Sequence, residues 1–236
     1  APPRVRRARG GGVLVCARAR LGFARWAAPL PQVRREVKPT PAALGLVLLA
    51  IAVGSLISLP SAGMIVYRIG AAKTIVVMSL IFATGIATAG VGVLVGVTPV
   101  VIGLLLIGVG NGGWDVAMNV QAAAVEQQLQ HSIMPRFHAG FSLGTVIGAL
   151  LGAGMNALHV SVTVNLLLIA LPLATAVPLS TRGFLSAGTK AHDQPNENIQ
   201  SLKVWTEPRT LLIGLFGLTI AFAGGPAAAW ICVATI

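Results

Sequence analysis

The chain has 236 residues, of which 55% are hydrophobic and only 10% charged, and its net charge is +11. A water-soluble domain of this length carries about 25% charged residues, so there are too few here to solvate a globular surface. The composition therefore excludes an ordinary soluble domain and points to an all-α, multi-pass transmembrane helical bundle. The 28 glycines agree with this, because glycine is commoner in membrane helices than in soluble ones. Two cysteines, Cys16 and Cys232, lie in unrelated apolar stretches. They make neither a disulfide framework nor a thiolate metal site, and no metal or other cofactor is implied. HExxH, GxSxG, CxxC and Walker patterns are all missing, so no enzyme class is indicated.

Residues 1–12 are rich in Pro, Arg and Gly and read as a disordered basic N-terminus. Arg4, Arg6, Arg7, Arg9, Arg18, Arg20 and Arg25 all fall within the first 25 residues. A basic run of this kind can contact nucleic acid or anionic lipid. The simpler reading is cytoplasmic flanking charge beside a membrane segment, with no nucleic-acid partner. Residues 13–30 occupy the place of a first span, but Arg18, Arg20 and Arg25 interrupt it. A central Arg costs about 2.5–3.5 kcal/mol on insertion scales, so the sequence predicts a weak first helix.

From Ala43 the pattern is clean. Residues 43–66 are long enough to cross about 30 Å of hydrocarbon. A short basic turn, YRIGAAK at 67–73, leads to a span over 74–97, and Thr98-Pro99 marks a turn. The next span covers 100–120, and 121–136 reads as a helical extension into water that ends at Pro135. Spans over 137–158 and 161–179 follow, with a kink expected at Pro172. The membrane half thus occupies 13–180, a polar linker 181–209, and the start of a seventh helix 210–236. Arg68, Lys73, Arg136, Arg182, Lys190, Lys203 and Arg209 flank alternate loops. By the positive-inside rule those loops, the N-terminus and the central linker are cytoplasmic. Arg34, Arg35 and Lys38 are the exception, falling on the opposite side if 13–30 spans.

The strongest site signal is the stripe Asn111, Asp115, Asn119, whose four-residue spacing places all three on one helix face. An ionisable group in a membrane helix faces a cavity or a partner. Two readings stay open: the stripe lines a solute path, or it is interhelical glue. Trp114 beside it is either a stacking platform or an interfacial anchor. A glycine ladder follows, Gly140, Gly144, Gly148 and Gly152, whose spacing lets two helix backbones approach closely. Glu126 lies within reach of Arg68 or Arg136 as a cytoplasmic latch; the plainer alternative is a solvated surface pair worth about 0–1 kcal/mol. His138 and His159 are isolated and read as hydrogen-bonding residues.

The segment GMIVYRIGAAK (63–73) resembles the loop signature between the second and third helices of the major facilitator superfamily. Gly63, Arg68, Gly70 and Lys73 match it, while Tyr67 stands where an acid is usual. GNGGWDVAMNVQAAAVE followed by MPRFHAGFSLGTVIGALLGA is similar to a bacterial inner-membrane subgroup distantly related to fucose-type sugar permeases. The resemblance implies a secondary transporter of two similar six-helix halves, with solute bound near the midplane and rocking between halves. It assigns Gly63, Arg68, Gly70 and Lys73 to a cytoplasmic gating loop. It places Asn111, Asp115 and Asn119 on the fourth, cavity-lining helix, with Trp114 beside them as a further pathway candidate. It further implies that this chain holds the N-terminal half and is truncated in the seventh helix, where Gly224 and Ala229 replace acids that often stand there. The function that follows is alternating-access movement of a small solute through the bacterial inner membrane, a sugar being one candidate class. The alternative is a non-transporting fragment, or a half-transporter that needs a second chain as partner.

Overall fold

In a computed structural model, the described residues are 10–15, 17–18, 21–22, 41–130, 132–181, 207–208, 211–212 and 215. They fall into two units, 1–189 and 190–236. The first unit contains five long helices: α1 (Pro41–Ile69), α2 (Ala71–Val95), α3 (Val97–Leu129), α4 (Met134–Ala157) and α5 (Val162–Thr181). All five are long and apolar enough to cross a membrane. The fold is all-α and multi-pass, as composition required.

Two corners between these helices are single glycines. α1 ends at Ile69 and α2 begins at Ala71, with Gly70 at φ 83° between them. That left-handed backbone is costly for residues carrying a Cβ. The corner closes on itself: Gly70 N donates to Val66 O at 2.8 Å, and Thr74 Oγ1 donates to Gly70 O at 2.9 Å. The basic turn expected over 67–73 is therefore one residue wide, with Arg68 and Lys73 on the helix ends beside it. Gly96, at φ 145°, makes the corner from α2 to α3. The turn expected at Thr98-Pro99 is shifted to that glycine. Pro99 instead lies in the first turn of α3, where its missing N–H leaves no hydrogen bond unmade.

At 33 residues α3 is about 50 Å long, well beyond a hydrocarbon core of about 30 Å. It runs to Leu129 and stops at Gln130, which is left-handed at φ 54°. Pro135 does not end that helix, as its sequence position suggested. It sits in the first turn of α4, the place where proline is tolerated best.

α3 is the centre of the bundle because its glycines let neighbours come close on two sides. On one side Gly108 packs against Ile51 and Gly112 against Ser55 of α1. Both numbers rise together, so α1 and α3 run parallel. On the other side Gly103 meets Ala89 and Gly110 meets Phe82 of α2, an antiparallel register. Between these contacts Phe82, Ile86, Leu104 and Ile107 form a fully enclosed core. Hydroxyls add bonds between helices. Ser55 Oγ donates to Gly108 O at 3.1 Å, and Thr163 Oγ1 of α5 donates to Gly90 O of α2 at 2.7 Å.

The N-terminal segment corrects two expectations. Gly10 to Gly12 are helical, not disordered, and residues 13–15, 17–18 and 21–22 continue in helical conformation. Arg18 does not sit in the middle of the bundle's apolar depth. Its Nη1 donates to Ser180 Oγ at 2.5 Å, at the penultimate residue of α5. A guanidinium held at a helix end has a polar partner and a short path to the membrane edge, so the penalty for a central arginine does not apply to it. Residues 1–9 and 23–40, with Arg25, Arg34, Arg35 and Lys38, lie outside the described residues.

The glycine ladder is the buried face of α4. Gly140, Gly144, Gly148 and Gly152, with Phe137, are the buried residues of that helix. A Cβ at Gly140 would come within 2.8 Å of Val13 Cγ1, and one at Gly144 would run into the main-chain carbonyl of Ala17. The partner of the ladder's first half is thus the N-terminal helical segment, in parallel register. The opposite face of α4 exposes Leu143, Val146 and Leu150. Such a surface suits lipid as solvent.

In the second unit Leu211 N donates to Glu207 O at 3.0 Å, a helical turn, and Leu211, Leu212 and Leu215 are exposed. Most of the linker and of the seventh-helix start, including Gly224 and Ala229, lies outside the described residues.

Candidate functional site

A cavity of about 200 Å³ opens between α3 and the first turns of α4. From α3 it is lined by Asp115, Met118, Asn119 and Ala122, and from α4 by Phe137, His138 and Phe141. The α3 residues follow i, i+3, i+4, i+7 spacing, which places them on one face. Two members of the polar stripe therefore meet in the cavity wall. Asn111 is half-buried one turn before them and does not line it.

Within the stripe Asn119 Nδ2 donates to the Asp115 main-chain oxygen at 2.9 Å. That bond to the preceding turn uses an amide N–H locally. Asp115 is half-buried and Asn119 exposed. Asn119 makes a bond within its own helix, and Asp115 and Asn119 both border the cavity.

Trp114 does not border it. The indole is 2% exposed and packs edge-on against Phe82 of α2, with ring centroids 6.0 Å apart and planes at 88°. It is neither a platform in the cavity nor an anchor at a membrane surface. It is a core residue of the α2–α3 contact, and its Nε1 has no hydrogen-bond partner among the described residues. The aromatic residues in the cavity are Phe137 and Phe141, with the His138 ring 6.4 Å from Phe141. The sequence singles out neither phenylalanine, because single aromatics in an apolar helix carry no spacing signal. Nor does it single out Gln121, which is 1% exposed and whose carboxamide has no partner at either end among the described residues.

Glu126 reaches the main chain at the start of α4. Its Oε2 accepts from Ile133 N and from Met134 N, both at 2.9 Å. These are amides left over at the start of α4, and a carboxylate there is favoured both as a cap and by the helix dipole. The contact ties the end of α3 to the start of α4. Arg136 lies exposed on the first turn of α4, beyond that cap. A second, wider cavity of about 400 Å³ lies over this corner and is lined by Ala123, Glu126, Gln127, Gln130, Ser132 and Met134.

Of the expected gating loop, Gly70 forms the α1–α2 corner, and Arg68 and Lys73 flank it. Gly63 is exposed within α1, with open space around it. None of the four lines either of these cavities. Among the described residues there is no cluster of side chains able to hold a metal ion.

No protein-family model matches the chain. It is 31% identical over 222 residues to an uncharacterized MFS-type transporter of Yersinia pestis, covering 91% of this chain and 54% of that protein. It is 28% identical over 208 residues to an uncharacterized transporter of Sinorhizobium fredii, covering 88% of this chain and 54% of the relative. A membrane protein of Rhizobium meliloti, MosC, is 30% identical over 132 residues, covering 54% of this chain and 31% of MosC. The chain thus spans about half the length of the first two relatives.

Proposed function

We infer that the chain belongs to the major facilitator transporters and supplies the N-terminal half of a secondary transporter. In this reading it moves a small hydroxylated solute, with a sugar as the favoured class, by alternating access in a bacterial inner membrane. Membership rests on relatives named as transporters over 91% and 88% of the chain, together with five helices long and apolar enough to cross a membrane. The single observation behind a solute path is the cavity in which Asp115, Asn119 and His138 converge beside Phe141. Three hydrogen-bonding side chains and an aromatic ring in one apolar-walled recess are what a small polar ligand needs for orientation. The basic helix ends at Arg68, Lys73 and Arg136 support a cytoplasmic N-terminus and linker.

A second reading has its own support. The relatives continue for nearly as much chain again, and in this second reading the half works with the lipid bilayer, a solute and a second half-transporter chain as its partners. Co-expression with the C-terminal half of the Yersinia pestis relative tests both readings, with uptake of radiolabelled sugars as the assay. Uptake that needs both pieces supports the half-transporter. With both pieces present, Asp115→Asn should abolish uptake while membrane insertion is unchanged. Normal uptake in that variant removes Asp115 from the path, and no uptake in any combination leaves the non-transporting fragment.

A further inference from the structure

The cavity between α3 and α4 has a lining that favours one sign of charge. Asp115 is the acid in it, and no Lys or Arg is among the described residues that line it. Beside the carboxylate stand the Asn119 carboxamide, the His138 imidazole and the rings of Phe137 and Phe141. An acid in a recess with apolar walls acts over a longer reach than one in open water, because low-dielectric walls focus its field. The rings add to the same preference, since the face of an aromatic ring carries partial negative charge and attracts a cation. Phe137 and Phe141 are four residues apart on α4, which puts them on one side of that helix. Phe137 is buried and Phe141 half-buried, and a ring shielded from water attracts a cation more strongly than an exposed one. The nearest fixed charges along both helices lie outside this lining. Glu126 bonds the α4 amides and borders the other cavity, and Arg136 is exposed on the first turn of α4.

We propose that this cavity selects a small hydroxylated solute carrying a positively charged amine, so that an amino sugar is bound in preference to the neutral sugar of the same ring. The ammonium group meets the Asp115 carboxylate and the phenyl rings. The hydroxyls meet Asn119 and His138, whose side chains can both donate and accept. A neutral sugar uses only the second set of contacts. A sugar acid or sugar phosphate brings its charge against the carboxylate and is rejected, because like charges brought together are a strong means of discrimination. This proposal rests on the reading of a hydroxylated solute given above and adds a charge to it.

The test measures binding of tritiated ligands to the full chain in nanodiscs of uncharged lipid, at slightly acidic pH where a sugar amine is protonated. The probes are glucosamine, glucose, N-acetylglucosamine, glucuronate and choline. Glucosamine should bind about tenfold tighter than glucose or N-acetylglucosamine, the difference between a hydrogen bond to a charged group and one between neutral groups. Glucuronate should bind more weakly than glucose. Asp115→Asn should bring the ratio of glucosamine to glucose affinity down to about one. Phe141→Leu should weaken choline, which is permanently charged, about threefold, and Phe141→Tyr should restore it. Glucose bound as tightly as glucosamine, or a preference for glucosamine that survives Asp115→Asn, overturns the proposal and leaves the sugar reading standing. Choline affinity unchanged by Phe141→Leu overturns the part given to the ring. Binding of choline with no binding of any sugar overturns the sugar class and supports selection of a hydroxylated cation. Binding of none of the five overturns both.

Discussion

Gly144→Ala tests whether the N-terminal arginine-bearing segment truly packs into the bundle. In a solvent-exposed helix this change is favourable by about 0.8–1 kcal/mol through backbone propensity. Here the new methyl would run into the Ala17 carbonyl. That obstacle is main chain, so no side-chain rotation relieves it, and the two helices must separate. Overpacking of this kind costs about 1–3 kcal/mol, which outweighs the propensity gain at its middle and upper values and gives a net loss of about 0–2 kcal/mol. Gly154 on the same helix is the control, because nothing lies within 4 Å of a Cβ there. Gly154→Ala should be neutral or gain up to about 1 kcal/mol. The assay is reversible unfolding in mixed micelles, followed by loss of helical circular dichroism. Ala17→Gly should fail to rescue Gly144→Ala, since it leaves the carbonyl in place. Equal or higher stability of Gly144→Ala than Gly154→Ala would refute the packing argument.

Three further outcomes follow from the corners of the bundle. Glu126→Gln keeps the shape of the α4 cap but removes its charge, and Glu126→Ala removes it altogether. Losses of about 0.5 and 1–2 kcal/mol in the same unfolding assay are expected, because capping substitutions fall in that range. Equal losses would mean the charge contributes nothing. Gly70→Ala places a Cβ on a backbone at φ 83° and should cost about 1–2 kcal/mol, although open space surrounds the site. A neutral result would show that the corner relaxes out of the left-handed region. For topology, Tyr67→Cys in a protein with Cys16 and Cys232 changed to Ser should resist an impermeant thiol reagent in intact cells. Rapid labelling from outside would invert the orientation.

Several features are legible without coordinates because each depends on local rules. Spans of twenty or more apolar residues have no stable alternative to helix in lipid. Five of the expected spans appear as helices that overlap their anticipated stretches. The i, i+4 stripe and the glycine ladder are legible for the same reason, since helical periodicity converts spacing into a face. Differences cluster where one residue decides the local backbone. Prolines at 99 and 135 look like helix breakers in the sequence, yet both sit in first turns, where a proline has no hydrogen bond to lose. Gly70 and Gly96 carry the reversals instead.

The amino-acid sequence by itself determined a membrane-embedded helical bundle, the order of its spans, and which residues share a helix face. Those properties follow from hydrophobic length and a fixed pitch. Tertiary structure alone decided what each face meets. Trp114 and Asp115 are adjacent in sequence, yet about 100° of helical rotation sends one into the α2 contact and the other to the cavity. His138, Phe137 and Phe141 meet Asp115 where α4 folds back along α3, at a corner whose main chain Glu126 bonds. The arginine at position 18 is tolerated because its helix sits at a depth where Ser180 can receive it. Depth, rotation and partner are set by the packing of whole helices against one another, and spacing along a single segment does not encode them.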